Sequence, residues 1–153
     1  MRFGDKSFAD HLRLLQPCLV LILIVWALRF LAFWMGLPDY VVRLLSVSGA
    51  IPLAIILAAL LIHVRRFGGY VNLIVASAVL VCFGQALIIL AIILGSLGLE
   101  NTYSLSRGAA GRLDPTLHVF GHLLAIPLGT LVGSIIGAIF FWMLGRTLPH
   151  QRI

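Results

Sequence analysis

The chain has 153 residues, of which 61% are hydrophobic and 10% charged, with a net charge of +6 and a mean hydropathy of +1.12. So little charge cannot cover the surface of a water-soluble domain of this length, which excludes that class. Nor does the positive balance make a nucleic-acid partner: the basic residues are scattered over chain ends and loops, without an aromatic-interleaved patch.

The apolar residues fall in four blocks, at about 14–37, 41–62, 71–97 and 117–144, each nearly free of charge. A helix needs roughly 20 apolar residues to cross a bilayer, and each block is long enough. None alternates apolar with polar residues, as a membrane barrel wall must. The expected fold is therefore all-α: one membrane domain over residues 1–153, a four-helix transmembrane bundle.

The first block follows Arg2, Lys6 and Arg13 and resembles a secretory signal in that respect. Beyond it stand Trp26, Arg29, Phe30, Phe33 and Trp34, with no small-x-small cleavage pattern, so an uncleaved first helix is expected. Arg29 lies about two turns inside the far end of this block. A charge costs about 2.5–3.5 kcal/mol at mid-membrane on the insertion scale, less near the interface. Arg29 must either snorkel to the headgroups or point inward and pair with Asp39, Glu100, Asp114 or an anionic ligand.

A tight turn at 36–40 leads to the second block, which opens with Arg43 and carries Ala50, Ala54 and Ala58 at four-residue spacing. Residues 63–70 form a short turn broken by Gly68-Gly69. The third block holds Gln85 near its centre. A buried amide needs partners, and Thr130, Ser134 or a carbonyl freed by Pro52 or Pro127 are the candidates. Cys18 and Cys82 sit at different depths on helices expected to run parallel, which argues against a disulfide and for two small buried apolar residues.

The connection 98–116 is long and polar, and is the one loop with room for function. Asp114-Pro115 makes a good helix start, with Asp as N-cap and Pro in the first helical position. In the fourth block Gly121, Ala125, Gly129, Gly133 and Gly137 recur every fourth residue. Such a seam allows close backbone approach in lipid and predicts packing against a neighbouring helix, of this chain or of a second subunit. Ala50-Ile51-Pro52-Leu53-Ala54 echoes Ala125-Ile126-Pro127-Leu128-Gly129, as a duplicated hairpin would; each proline removes a helix hydrogen bond and should loosen its helix.

Seven basic residues (Arg2, Lys6, Arg13, Arg65, Arg66, Arg146, Arg152) fall on one side of this topology. At most four (Arg29, Arg43, Arg107, Arg112) fall on the other. The positive-inside rule then puts both termini in the cytoplasm, in a plasma or inner membrane. Trp34 and Tyr40 mark the outer interface, Tyr70 and Trp142 the inner one.

Chemistry concentrates at the outer end. Asp114, His118 and His122 are spaced i, i+4, i+8 and share one helix face. His-x3-His can chelate a metal, and a carboxylate suits zinc or non-haem iron, although two histidines leave the site incomplete and Asp114 is wanted as a cap. A bis-His haem within one chain is disfavoured, because His11, His63 and His150 all lie at the inner ends. No Ser/His/Asp set, P-loop, CxxC or HExxH occurs, and no acid lies deep in a span. These features favour a non-enzymatic accessory or assembly subunit, or a self-associating bundle, with the lipid bilayer and other protein subunits as partners. The alternative is a ligand- or metal-handling protein, an enzyme included, whose outer site is lined by Arg29, Arg43, Glu100, Asp114, His118 and His122. A third reading is a small-solute transporter with Gln85 on its path. Arg29 and the His118/His122 face are expected to share one outer polar pocket.

Overall fold

The computed structural model describes residues 2–3, 6–97 and 115–148. Glu100, Asp114, His150 and the loop arginines 107 and 112 lie outside them. The helices are α1 Phe8–Trp34, α2 Asp39–Leu44, α3 Val47–Val64, α4 Tyr70–Ser96 and α5 Pro115–Thr147. A two-residue antiparallel ladder, β1 Arg2–Phe3 with β2 Lys6–Ser7, precedes them. Four helical stretches are long and apolar enough to cross a bilayer, with α2 and α3 together forming the second. The fold is thus an all-α membrane bundle, as expected.

Local chemistry sets the ends of α1. Ser7 and Asp10 form a reciprocal capping box: the Asp10 amide donates to Ser7 Oγ at 3.2 Å, and the Ser7 amide to Asp10 Oδ2 at 2.9 Å. At the other end Gly36 takes a left-handed φ of +70°, with its amide on the Phe33 carbonyl and the Leu37 amide on that of Ala32. This is the paired-bond stop that satisfies two orphan carbonyls. α3 ends in the same two bonds, from Arg66 to His63 and from Phe67 to Ile62.

The second span differs from the single helix expected over 41–62. It is broken at Leu45, whose φ of −78° and ψ of 62° make an inverse γ-turn closed by the Ser46 amide on the Leu44 carbonyl at 2.9 Å. Ser46 is the extended N-cap of α3, and the amides of Gly49 and Ala50 turn to its carbonyl. The Leu45 carbonyl is left out of the helix ladder by this break. α3 and α5 run unbroken through Pro52 and Pro127, as α1 does through Pro17.

α3 and α4 pack on each other and form the centre of the bundle; α1 and α5 each pack on both of them and share no extended contact. Ala50, Ala54 and Ala58 are buried on α3, among Leu15, Ile22, Leu80 and Ile88. Lipid offers little hydrophobic gain for burying such residues, so close contact must hold the helices together. The α4–α5 and α3–α5 contacts are the clearest case. A Cβ on Gly129 would stand 3.1 Å from Val81, one on Gly133 2.5 Å from Ile55 Cδ1 and 3.9 Å from Ser77 Cβ, and one on Gly137 3.1 Å from Leu73. Steps of four along α5 thus meet steps of four back along α4. Gly121 has nothing within 4 Å. Four residues advance a helix by about 40° beyond a full turn, so a four-residue row winds off the contact face. Gly84 adds a close approach of its own, with a Cβ there 2.6 Å from Ile51 Cδ1.

Candidate functional site

Arg29 is buried, 9% exposed, and its Nη1 donates to the Leu45 carbonyl at 3.3 Å. The γ-turn makes this possible, because within a continuous helix that oxygen would face the amide of Gly49. One turn earlier on α1, Trp26 Nε1 donates to the Leu87 carbonyl of α4 at 2.9 Å. The two bonds tie the C-terminal half of α1 to the α2–α3 break and to α4.

The second polar group lies between α4 and α5. His122 Nδ1 is 2.7 Å from Gln85 Oε1, and the His118 and His122 rings are 5.1 Å apart, inclined at 38°. An amide oxygen only accepts, so His122 Nδ1 donates here, and in the neutral ring Nε2 keeps its lone pair. Gln85 is buried and both imidazoles are half-buried. Gln85 stands eleven residues, about 16 Å, from the C-terminal end of α4, well within this apolar helix of roughly 40 Å. On α5 the two histidines stand in the first turns of a helix of 33 residues. The partner of Gln85 is His122, in place of Thr130, Ser134 or a proline-freed carbonyl.

Of the expected site residues, His118, His122 and Gln85 come together. Arg29 is tied to the α2–α3 break, and Arg43 is exposed on α2. Cys18 is buried, whereas Cys82 lies on the outward face of α4, so only one of the pair is a core residue. Among the described residues no group of three or more His, Cys, Asp or Glu side chains could hold a metal ion. The Oγ atoms of Ser77 and Ser134 and Oδ1 of Asn72 are buried without a hydrogen-bond partner.

The opposite end holds a cluster that the sequence reading left unused. His11 Nδ1 donates to the Ser7 carbonyl at 2.9 Å, and its ring meets Phe67 edge-on at 5.0 Å. His63 Nε2 donates to the Leu148 carbonyl at 3.1 Å, tying the end of α3 to the end of α5. Phe141 packs edge-on against both His63, at 5.7 Å, and Tyr70, at 5.4 Å. The signal for this cluster was the coincidence of histidines and aromatics at four helix ends that must meet.

Fold and polar groups together define a multi-pass helical membrane protein whose intramembrane polar side chains join one helix to another. The chain matches no protein-family model, no curated protein and no solved structure.

Proposed function

We propose that this chain is a non-enzymatic membrane subunit, an accessory or assembly component of a larger membrane complex or a self-associating bundle. The observation that carries this reading is the contrast between closed polar groups and one open helix. Arg29, Trp26, Gln85 and His122 bond to groups of the same chain. Yet only 11% of the most apolar stretch of α5 is buried, against 28% in α1 and 44% in each of the other two spans. Leu124, Leu128, Leu131, Ile135 and Ile139 point away from the bundle. On this reading Gly129, Gly133 and Gly137 form a glycine zipper that seats α5 inside the chain, and its opposite face meets another subunit. Both termini face the cytoplasm, at the basic end of the bundle.

Crosslinking tests this directly. A cysteine at Leu128, in a Cys82→Ala background, should crosslink in native membranes to a defined protein or to a second copy. Recovery of monomer alone, at expression levels where the protein is fully inserted, would refute the reading.

A second reading is favoured by the His118–His122–Gln85 contact. Gln85 fixes the His122 tautomer as a second-shell partner fixes a metal-bound histidine, and leaves Nε2 as an electron-pair donor next to the His118 ring. The two imidazoles would hold zinc or a similar ion, with the remaining positions filled from outside the described residues. Elemental analysis of the purified chain should find stoichiometric metal that His118→Ala and His122→Ala both lose. Absence of metal after purification and after zinc titration would remove this reading.

A further inference from the structure

At the end of the bundle where α1 starts, α3 turns into α4 and α5 finishes stand Lys6, Arg13, Arg65, Arg66 and Arg146. Asp10, the acidic side chain described at this end, is engaged by Ser7. α1 and α3 stop in the same pair of hydrogen bonds, but their left-handed positions are filled differently. In α1 it is Gly36; in α3 it is Arg66, with φ of +50°. A residue with a Cβ is strained in this region, and glycine is not. Gly68 and Gly69 follow two residues later, so a glycine in this turn is within easy reach of the sequence. The turn thus keeps an exposed arginine where glycine would be unstrained.

The surroundings show what a ligand at this turn would meet. Arg65 and Arg66 are both exposed. The Lys6 ammonium lies 5.6 Å above the Phe67 ring and the Arg146 guanidinium 4.1 Å above Trp142, so aromatic faces hold both cations at this level. Tyr70 and Trp142 are exposed here, as aromatic residues are at a membrane interface. Directly beside the turn, Val64, Val71 and Ile74 present an apolar strip along the bundle. Cations with an apolar strip next to them suit a ligand with a phosphate head and acyl tails. A free phosphate would have no use for the strip.

The geometry points to a binding site for an anionic phospholipid at the α3–α4 turn, with Arg65 and Arg66 on the phosphodiester and Lys6 and Arg146 flanking it. Guanidinium groups match phosphate oxygens in a two-pronged fashion, which ammonium groups do not. The site belongs to the leaflet that faces this end, whichever function the bundle serves.

The test uses the full chain in a neutral detergent, with native mass spectrometry and unfolding midpoints as readouts. Phosphatidylglycerol should bind and stabilise more than phosphatidylcholine, and inorganic phosphate should do neither. Arg65→Gln and Arg66→Gly should each weaken phosphatidylglycerol binding about fivefold, the value of one basic residue near an anionic surface. Arg66→Lys should retain part of it, and Arg43→Gln, at the other end, should change nothing. Arg66→Gly keeps both turn bonds and relieves the strain, so its fold should survive; Arg65→Gln carries the same test from an unstrained position. Equal binding of the two lipids, unchanged binding in both turn variants, or a full shift from inorganic phosphate alone would overturn the proposal.

Discussion

Gly133→Ala should destabilise the bundle, and Gly121→Ala should not. A Cβ at position 133 would come 2.5 Å from Ile55 Cδ1, well inside van der Waals contact. Ile55 is 1% exposed, so its terminal methyl has no free space to move into. Forcing an extra methyl into a packed core costs about 1–3 kcal/mol. Against this, alanine is a better helix residue than glycine by about 1 kcal/mol. Gly133→Ala should therefore lose up to about 2 kcal/mol, whereas Gly121→Ala, with nothing within 4 Å, should gain up to about 1 kcal/mol. Gly129→Ala should fall between them, because its nearest atom is a Val81 methyl at 3.1 Å. Ile55→Val removes the offending Cδ1. Alone it should cost about 0.5–1.5 kcal/mol. Combined with Gly133→Ala it should recover much of the loss, because the new methyl fills the space the old one left. Reversible unfolding in mixed micelles, read by tryptophan fluorescence, gives all five numbers. If Gly133→Ala is as stable as Gly121→Ala, or if the double variant is simply the sum of its parts, α5 does not pack on Ile55 in this way.

The polar contacts and the orientation can be checked alongside. Gln85→Leu and His122→Leu should each cost about 0.6–1.7 kcal/mol, the range for polar contacts between membrane helices, with a coupling energy of similar size in the double variant; additive losses would mean the two side chains do not meet. Arg29→Leu should speed hydrogen exchange at the Ser46–Gly49 backbone and lower stability by about 1.5–3 kcal/mol, as loss of a charged donor to a carbonyl does; unchanged exchange there would separate Arg29 from the Leu45 break. Trp26→Phe keeps the ring area but loses the bond to Leu87, and should cost about 0.5–1.5 kcal/mol. Reporter fusions at either end of the chain should be active only for a cytoplasmic reporter; periplasmic activity at residue 153 would refute the proposed orientation.

The spans were legible because long uncharged blocks leave few alternatives; the other ends fell within three residues, but α1 starts at Phe8, six residues before the block read at 14, because the Ser7–Asp10 capping box carries the helix through Arg13. The break at Leu45 was not legible. Residues 41–62 read as one apolar stretch, and Ser46 within it is equally compatible with an outward-facing hydroxyl. The spacing of the α5 glycines was plain, but their phase was not: a four-residue row drifts around a helix, and only the position of α3 and α4 decides that 129, 133 and 137 are used while 121 is open. Gly84 stands alone and makes no pattern. That Gln85 needed a partner followed from its chemistry; that the partner is His122 follows from the antiparallel register of α4 and α5. That Arg29 reaches the Leu45 carbonyl was not legible, because a sequence hides which backbone carbonyls a turn will release.

The groove that receives α5 has a consequence for how the chain is made. Ribosome and insertion machinery deliver α5 after α1, α3 and α4, so a three-span intermediate exists on every molecule. Its groove floor, Ile55, Leu73 and Val81, is apolar and can face lipid at little cost while it waits. Gln85 cannot, since an amide left unpaired in hydrocarbon costs several kcal/mol. Arrival of His122 relieves that amide, and the bond from His63 to Leu148, near the far end of α5, forms only when the whole helix has entered. A translational pause between the third and fourth spans would therefore lengthen the lifetime of a bundle marked by one bare amide, a feature that membrane proteases and insertion chaperones could read as unfinished.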